Sequence, residues 1–398
     1  MGVSPIQNKS ENSRAIVTDG LWRKSLSAIR SLGKAGFDVH VMGDSVFTTG
    51  FWSSFTRSRN LSLPASKSPS QFGENLLKLL TRYPGSVVLP MEDPSLAWVV
   101  ENISKVSELG FALMPPQESA AIAQDKAQTL RLAKKLGLNC PQTWEPESAE
   151  DFAKLVTPLK TGEFVVKPRS GTGSSGIVYQ ANPSADYWLA HWEKFGAMLV
   201  QERVPATGKG QGISLLMDQA GKCVAHFGHE RIQQYPNSGG PSTDRHGIVA
   251  PELLEQSLAL IKSLNWRGIA MVEWKVDPRN GQSKLMEINP RFWGSLELAV
   301  RSGVDFPTLY ARAARGESLP SAPAYREGLR CRWVIPGDIL RFLTQPKKER
   351  ESIWSFLRGL PKSAEEWDPR DLRGAVSTLI CTFALAINPR YWKYLRRG

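Results

Sequence analysis

A glycine-rich segment in the middle of the chain most constrains what this sequence can fold into. Residues 165–179 read VVKPRSGTGSSGIVY and contain the spacing GxGxxG between Gly171 and Gly176. In a dinucleotide-binding fold, such glycines connect a strand directly to a helix. Here residues 177–179 are strand-like, and the next helical pattern begins only after Ser184. The segment is therefore predicted to join two strands as a hairpin, which excludes a dinucleotide-binding turn.

The hairpin also differs from two other phosphate-binding loops. A protein kinase carries its lysine on the strand after the glycines, followed by HRD and DFG motifs, and a Walker loop requires Gly-Lys-Ser/Thr. The sequence has none of these, and its lysine, Lys167, precedes the glycines. Glycine N–H groups, hydroxyls and this ammonium group could together hold phosphates. A flexible hairpin tip is the other interpretation, and the segment alone leaves both open. The phosphate-binding interpretation uses Ser170, Gly171, Gly173, Ser174 and Gly176.

A second hairpin is predicted over residues 268–291, where an Asn-Gly pair marks the turn. Because side chains alternate along a strand, its second strand is expected to place Leu285, Glu287 and Asn289 on one face, and Met286 and Ile288 on the other. The hairpin can then bring Glu273 beside Glu287 and Asn289. Two carboxylates and an amide oxygen are suitable ligands for Mg²⁺, although any single glutamate is more often a solvated strand residue. Arg291 follows the strand, where it could meet a transferring phosphoryl group.

The order of predicted elements divides the chain into regions. Residues 14–115 open with a β-α-β pattern and are predicted to form a parallel α/β domain, with one helix over 95–106. Residues 116–330 begin with a helix within 123–141 and continue with mostly antiparallel strands, and about 140–200 is a smaller subdomain. Three further segments complete the prediction, namely a disordered tail over 1–13, a helix opening at Pro251, and a C-terminal helical extension over 331–398.

Composition limits the partners and the location. The net charge of +12 favours anionic partners, but no nucleic-acid-binding motif accompanies it. The four cysteines are widely spaced and the N-terminus lacks a signal peptide, so we expect free thiols and a cytoplasmic protein. The apolar run 374–387 is predicted to be a buried helix. Because aromatic and basic residues follow it over 390–397, an interfacial helix on an anionic membrane stays open.

The segments described above occur in an order that resembles the ATP-grasp superfamily. The resemblance covers residues 123–310, about half of the chain, and is carried by AQDKAQTLRLAKKLGL, FVVKPRSGTGSSGI, LVQERV, MVEWKVDPRNGQSKLMEINPRFWGS and LELAVRSGVDFP. Within the superfamily it is similar to the branch of biotin carboxylase and the carbamoyl-phosphate synthase large chain. The resemblance implies a domain that precedes the ATP-grasp fold, over 14–115, and a grasp made of two subdomains, over 116–330.

The resemblance also implies roles for individual residues. Lys126 and Lys167 would contact ATP, and Gln201, Glu202 and Val204 would lie along the adenine, which backbone groups of the last two would read. Glu273, Glu287 and Asn289 would bind Mg²⁺, which Mn²⁺ could replace, and Arg291 would lie beside the phosphates. For Arg231 the sequence leaves two interpretations open, a contact to the substrate carboxylate and a surface arginine.

The implied reaction is an ADP-forming ligation in which a small-molecule carboxylate is activated as an acyl phosphate and attacked by an amine. Two alternatives remain at the level of sequence. The acceptor could be a thiol or a phosphate, which product analysis would reveal, or the chain could be a non-catalytic ATP-binding module. The presence of both lysines and all three metal-ligand positions argues against the second alternative. The identity of either substrate and the oligomeric state are not encoded in any pattern that we can interpret.

Overall fold

The computed structural model describes residues 13–171, 176–236, 239–320, 322–346, 350–358 and 360–387. Of the predicted disordered tail over 1–13, only the last residue lies within this range. Within the described residues, the predicted fold class is confirmed, because a parallel sheet in the first part is followed by antiparallel sheets and then by helices. No helix of the described residues is long and apolar enough to cross a membrane.

The first region is a four-stranded parallel sheet with strand order β3-β2-β1-β4, flanked by helices. Its elements are β1 (Arg14–Val17), α1 (Arg23–Lys34), β2 (Asp38–Gly43), β3 (Thr56–Leu61), α2 (Pro69–Arg82), β4 (Val87–Leu89), α3 (Asp93–Glu101) and α4 (Ile103–Leu109). The single helix predicted over 95–106 is wrong, because the chain leaves the helical conformation at Asn102 and forms two helices there.

Two helices lead into the second region, namely α5 (Gln117–Gln124) and α6 (Lys126–Lys135). The sequence predicted one helix within 123–141, but Asp125 adopts an extended conformation and starts α6 afresh. Its side chain accepts hydrogen bonds from the N–H groups of Ala127 and Gln128 and so caps the new helix. This cap fixes Lys126 in the first helical turn.

The smaller subdomain is a three-stranded sheet with order β5-β7-β6, covered by two helices. Its elements are β5 (Thr143–Trp144), α7 (Ala149–Val156), β6 (Phe164–Pro168), α8 (Ala185–Phe195) and β7 (Met198–Glu202). The helix start predicted after Ser184 is confirmed, because Ser184 caps α8, and Ser148 caps α7 in the same way. The glycine-rich hairpin is less regular than predicted, since only Val178 pairs back onto β6, opposite Val166.

The larger subdomain is built on a six-stranded antiparallel sheet with order β12-β11-β8-β9-β10-β13. Its elements are β8 (Gly210–Met217), β9 (Cys223–Gln234), β10 (Ser242–Ile248), α9 (Pro251–Ser263), β11 (Gly268–Val276), β12 (Ser283–Asn289), α10 (Leu296–Ser302) and α11 (Phe306–Ala314). The helix predicted to open at Pro251 and the hairpin predicted over 268–291 are both confirmed. The last strand of the sheet, β13 (Arg330–Arg332), leads into the C-terminal part of the chain.

The C-terminal part contains α12 (Ile339–Thr344), α13 (Ile353–Leu357), α14 (Leu360–Ser363) and α15 (Leu372–Ile387). It is attached to the first domain mainly through charged groups rather than through a large apolar core. Arg30 of α1 is buried and donates from Nε to Asp371 at 2.9 Å, and its other nitrogens donate to the carbonyls of Glu365 and Glu366. Buried charges need such partners, so these contacts fix the extension against α1.

One apolar core unites the first domain with the larger subdomain. Val17 and Val41 of the parallel sheet belong to the same buried cluster as Met271 of β11 and Leu298 of α10. In contrast, Phe152, Val166, Trp188 and Val200 form a separate core inside the smaller subdomain. This division leaves the smaller subdomain packed on itself, and a cavity lies between it and the rest of the molecule.

Candidate functional site

The principal cavity of the described residues has a volume of about 920 Å³ and is lined by all three sheets. The first domain contributes the residues that follow β1 and β4, the smaller subdomain contributes β6 and the glycine-rich segment, and the larger subdomain contributes β9, β11 and β12. Cavities of this size accommodate nucleotide-sized ligands. Nearly every residue that the sequence analysis selected lines this space, namely Lys126, Lys167, Ser170, Gly171, Gln201, Glu202, Val204, Arg231, Glu273, Glu287, Asn289 and Arg291.

Two lysines approach each other from different elements. Lys126 in the first turn of α6 donates from Nζ to the carbonyl of Gly171 at 3.0 Å and lies 3.4 Å from Oε2 of Glu287. Lys167 on β6 is buried, and burial, together with the charge of Lys126, lowers the pKa of Lys167 to about 8. Two ammonium groups held this close repel each other, so an anionic group between them would stabilise both.

The described ends of the glycine-rich loop show why glycine is required there. Gly171 and Gly176 have φ values of 120° and 75°, which side chains rarely adopt. A Cβ on Gly176 would also lie 2.8 Å from the ring of Pro168. Gly173 and Ser174, which the sequence analysis assigned to phosphate binding, lie outside the described residues. Ser170 and Gly171, which follow Lys167 in sequence, line the cavity, whereas Gly176 of the predicted phosphate site is not among the residues that line it.

Glu273 and Glu287 stand directly opposite each other in the β11–β12 ladder. A bulge beside this pair aligns Trp274 with Leu285, so that Met286 becomes the extra residue. The predicted grouping of Leu285 with Glu287 is therefore wrong. Leu285 and Ile288 both pack in the core beneath the sheet, whereas the two glutamates line the cavity. Strict alternation cannot anticipate a bulge, because the extra residue reverses the faces of all residues beyond it.

The two acids differ in the direction in which their surroundings shift the pKa. Burial and the charge of Glu287 raise the pKa of Glu273. Burial alone would raise the pKa of Glu287 as well, but the ammonium groups of Lys126 and Lys167 overcome this effect and lower it. Asn289 donates from Nδ2 to Glu273 at 3.2 Å, which holds its amide oxygen beside the pair. The described residues contain no cluster of three His, Cys, Asp or Glu side chains. The oxygen donors that are present, two carboxylates and one amide, nevertheless fit Mg²⁺.

The strand that was expected to contact the adenine is held by an ion network. The carboxylate of Glu202 accepts from Lys284 at 2.9 Å, from the N–H of Gln142 at 3.0 Å and from Arg279. The carbonyl of Val204 accepts from Nζ of Lys275 at 3.2 Å. The side chain of Glu202 is thus held by partners within the protein, and the adenine contact expected from the backbone of Glu202 and Val204 stays a prediction. Gln201 is buried and donates to Thr143, which fixes the strand in the smaller sheet.

The two predicted catalytic arginines have different surroundings. Nε of Arg291 donates to Asp93 of the first domain at 2.9 Å. Arg231 on β9 donates to the side chain of Gln234 and to the carbonyl of Gly240, both at 3.2 Å, and lies 3.5 Å from Glu273. Its Nε is buried and makes no hydrogen bond within the described part of the chain. Arg231 therefore lies inside the cavity rather than on the open surface. The loop 237–242, which in the sequence resembles the acceptor-side segment of this ATP-grasp branch, is described only from residue 239 onward.

The sequence analysis missed a lysine in the first domain. Lys24 is buried at the start of α1, forms an ion pair with Glu92 at 2.5 Å and donates to the carbonyl of Phe292 at 3.2 Å. Burial and the charge of Arg291 lower the pKa of Lys24 to about 8. Its position carried a usable signal, because ligands of open α/β sheets bind beyond the carboxyl ends of the parallel strands, and Lys24 closely follows β1. His229 of β9 also lines the cavity, and burial lowers its pKa to about 3, so it is neutral.

A grasp of two subdomains around a cavity with paired lysines and paired acids is the architecture of an ATP-grasp protein, and this chain has the ATP-grasp fold. Residues 237–335, about a quarter of the chain, match a protein-family model described as "ATP-grasp in the biosynthetic pathway with Ter operon". This part of the chain is therefore similar to an ATP-grasp family, in agreement with the resemblance found in the sequence. No protein of curated function matches the chain in sequence.

Solved structures confirm the fold at low sequence identity. The biotin carboxylase domain of 2-oxoglutarate carboxylase from Hydrogenobacter thermophilus matches 80% of this chain and 74% of its own, with 15% identity and a TM-score of 0.63. N5-carboxyaminoimidazole synthetase from Staphylococcus aureus, complexed with ADP, matches 80% and 81%, with 16% identity and a TM-score of 0.61. L-amino acid ligase from Bacillus licheniformis matches 77% and 75%, with 15% identity and a TM-score of 0.57. These similarities establish the shared fold.

Proposed function

We propose that this protein is an ATP-dependent, ADP-forming ligase that activates a carboxylate as an acyl phosphate and transfers the acyl group to an amine. The observation that carries the proposal is the convergence, in one cavity, of Lys126 and Lys167 on the paired acids Glu273 and Glu287. This arrangement offers fixed positive charge to phosphates and a pair of carboxylates to a divalent cation. Burial of charged side chains is costly, so the convergence of two lysines and two glutamates on one cavity favours a functional role.

The residues of the chain divide the reaction between them. A substrate carboxylate oxygen attacks the γ-phosphorus of ATP, and ADP departs. An amine then attacks the acyl carbon, inorganic phosphate leaves, and the amine loses a proton. Lys126 and Lys167 neutralise the phosphates, while Arg291 offers an N–H donor to the phosphoryl group in transfer. Mg²⁺, which Mn²⁺ could replace, would be held by Glu273, Glu287 and Asn289 and would neutralise the phosphate oxygens.

The part of the cavity away from Lys126 and Lys167 would hold the two small-molecule substrates. Arg231 has a buried Nε without a partner among the described residues, and an arginine in this state is suited to bind a carboxylate. Lys24 and Glu92 line the first-domain side of the same space, where they form an ion pair. We therefore assign the carboxylate to the side of Arg231. The acceptor amine would approach from the first domain.

Several comparisons support this chemistry without defining the substrate. The Hydrogenobacter domain was solved with MgADP and bicarbonate, and the Bacillus relative in fold is an amino acid ligase.

The four cysteines are free thiols, which is compatible with the predicted cytoplasmic location. The chain carries no feature in its described part that favours nucleic acid as a partner, and its oligomeric state stays open.

The test is product analysis of the purified protein with ATP, Mg²⁺ and pools of carboxylates, including bicarbonate, and of amines. ADP, AMP and inorganic phosphate are quantified separately. Formation of ADP and phosphate that depends on both an added carboxylate and an added amine would support the proposal. Formation of AMP would overturn it, and so would ATP binding without turnover in any pool. Phosphate release that depends on a thiol instead of an amine would reassign the acceptor.

A further inference from the structure

The last helix of the described chain, α15, has one face packed and one face open. Gly374, Ser377, Cys381 and Leu385 are buried and point toward the first domain. Ser377 donates from Oγ to the carbonyl of Thr49 at 3.1 Å, which ties the helix to a short turn of that domain. This packing fixes the rotation of α15 about its axis, and therefore also fixes which residues it presents outward.

The outward face of α15 is entirely apolar apart from its first turn. Six large side chains on it are between 51% and 69% exposed, namely Leu372, Val376, Leu379, Ile380, Phe383 and Ile387. No charged residue occurs from 374 to 387. Helices on protein surfaces normally place charged residues on the solvent face. A continuous apolar strip of this kind marks an interaction site.

The first domain also exposes apolar side chains in and beside the turn that contacts α15. Trp52 lies in the turn Thr49–Trp52 that packs against α15, and it is 43% exposed. Val46 and Phe47 immediately precede that turn, and both are exposed. We call these three residues and the six of α15 the α15 surface. Arg59 stacks on the ring of Trp52 at 4.4 Å, so a basic group stands at its margin.

Charge indicates what covers this surface. From residue 372 to the C-terminus the sequence contains no aspartate or glutamate, whereas it contains the basic residues Arg373, Arg390, Lys393, Arg396 and Arg397. Arg57 and Arg59 of β3 are exposed on the first-domain side. A second copy of the chain would bring the same positive charge to a symmetric contact, and like charges disfavour such a contact. An apolar strip with a positive margin instead matches a membrane surface made of anionic lipids.

We propose that the α15 surface docks the protein onto an anionic lipid bilayer, with α15 lying in the plane of the interface. At 16 residues, α15 is shorter than the roughly 20 residues needed to span a bilayer, and its inner face is occupied by the protein. The apolar strip enters the boundary between headgroups and acyl chains, and the basic groups contact lipid phosphates. This inference is independent of the ligase activity, because the α15 surface contains no residue that lines the active-site cavity.

The experiment is co-sedimentation of the full-length protein with phosphatidylcholine vesicles that contain or lack phosphatidylglycerol. We expect binding to the anionic vesicles, weaker binding to the neutral ones, and a decrease with increasing salt. Phe383→Glu removes the most exposed apolar side chain and introduces a negative charge, so the partition coefficient is expected to fall at least about tenfold. Val249→Glu makes the same change at a residue that is 59% exposed in the loop between β10 and α9, and serves as the matched control.

The possible outcomes separate the lipid surface from other occupants. Equal sedimentation of the wild type and Phe383→Glu would overturn the proposal, as would the absence of binding to anionic vesicles. A concentration-dependent dimer in analytical ultracentrifugation that Phe383→Glu abolishes would assign the surface to a second copy and also overturn it. Because Phe383 is 69% exposed, its replacement is expected to leave the thermal midpoint unchanged, which circular dichroism checks for both variants.

Discussion

Arg291 of the larger subdomain donates from Nε to Oδ2 of Asp93, the first residue of α3 in the first domain, at 2.9 Å. A second nitrogen of the same guanidinium donates to the carbonyl of Phe292 at 3.0 Å. Burial opposes the charge of Arg291, but the carboxylates of Asp93 and Glu92 more than compensate and raise its pKa. The arginine is therefore held charged and in one orientation by a domain that lies outside the grasp itself.

Because Asp93 orients Arg291, we predict that the first domain contributes to the rate of phosphoryl transfer. In Asp93→Asn the side chain keeps its size but loses the charge that orients Arg291, so we expect kcat to fall about tenfold to a hundredfold. The affinity for ATP should stay within about twofold, because Lys126 and Lys167, the lysines that we propose bind phosphate, are on other elements. Steady-state kinetics and equilibrium nucleotide binding measure the two quantities. The control is Asp44→Asn, since Asp44 forms only an exposed pair with Lys67 at 3.4 Å. An unchanged kcat in Asp93→Asn would refute the role of this pair.

The paired acids predict a metal-dependent loss of activity. Glu287→Ala removes one of two facing carboxylates, and we expect turnover of ATP to decrease about a hundredfold or more. Titration with Mg²⁺ monitored by calorimetry in the presence of ADP should show weaker metal binding in the variant. Glu255→Ala, at an exposed position of α9, is the matched control. Near-normal turnover in Glu287→Ala would show that the metal assignment is wrong.

The buried Lys167 predicts a pH dependence of ATP binding. Its pKa of about 8 means that its charge is present below pH 8 and is lost above it. ATP affinity should therefore be nearly constant below pH 8 and fall by up to about tenfold per pH unit above it. Lys167→Met should bind ATP weakly and show little of this dependence. If Lys167→Met keeps the wild-type profile, another group, such as Lys24, is responsible.

The titration of Lys167 affects the free energy of unfolding in the opposite direction to its effect on ATP binding, so the two effects can be distinguished. The pKa of Lys167 is lowered on folding from 10.5 to about 8. Between these values the unfolded chain binds more protons, so the contribution of Lys167 to the free energy of unfolding increases with pH in this window. Weaker ATP binding above pH 8 is therefore not a consequence of Lys167 destabilising the fold, and urea titrations at pH 8 and pH 10 can confirm the direction.

The contact between α1 and the C-terminal part predicts a large loss of stability on mutation. Arg30 and Asp371 are both buried, and Asp371 also accepts from Ser53 at 2.8 Å and from the N–H of Ser54 at 2.7 Å. Asp371→Ala leaves the guanidinium without its counter-charge, so we expect the free energy of unfolding to fall by about 3–5 kcal/mol. Glu317→Ala, which breaks an exposed pair with Arg312, should cost less than about 1 kcal/mol. Equal effects in urea denaturation would contradict this prediction.

The same carboxylate predicts sensitivity to acid. Burial acts to raise the pKa of Asp371, but the N–H of Ser54 and the charge of Arg30 outweigh it and lower the pKa. A lowered folded pKa means that the stabilisation is present above pH 3.8, the usual value for aspartate, and is lost as the pH falls through the folded value. The difference in stability between the wild type and Asp371→Ala should therefore shrink progressively below about pH 4.

Much of the fold could be predicted from the sequence because its signals are local. Ser184 caps a helix where the sequence predicts a helix start, and the β11–β12 hairpin turns at the predicted Asn-Gly pair, where Gly281 has a φ of 73°. Lys167, Glu273 and Glu287 could be selected because charged residues inside apolar strands require a reason. The break at Asn102 and the bulge beside Glu273 could not be predicted, since tertiary packing and strand register decide them.

The sequence by itself determined the class of the fold and singled out Lys167, Glu273 and Glu287, because periodicity and residue type suffice for these, whereas Lys126 was selected through the resemblance to the ATP-grasp superfamily. Only the tertiary structure decided that Asp93 orients Arg291, that Lys24 lies in the same cavity, and that α15 keeps one apolar face exposed. Each of these depends on contacts between residues far apart in the chain. Residue type and spacing carry no information about such distances until the chain has packed.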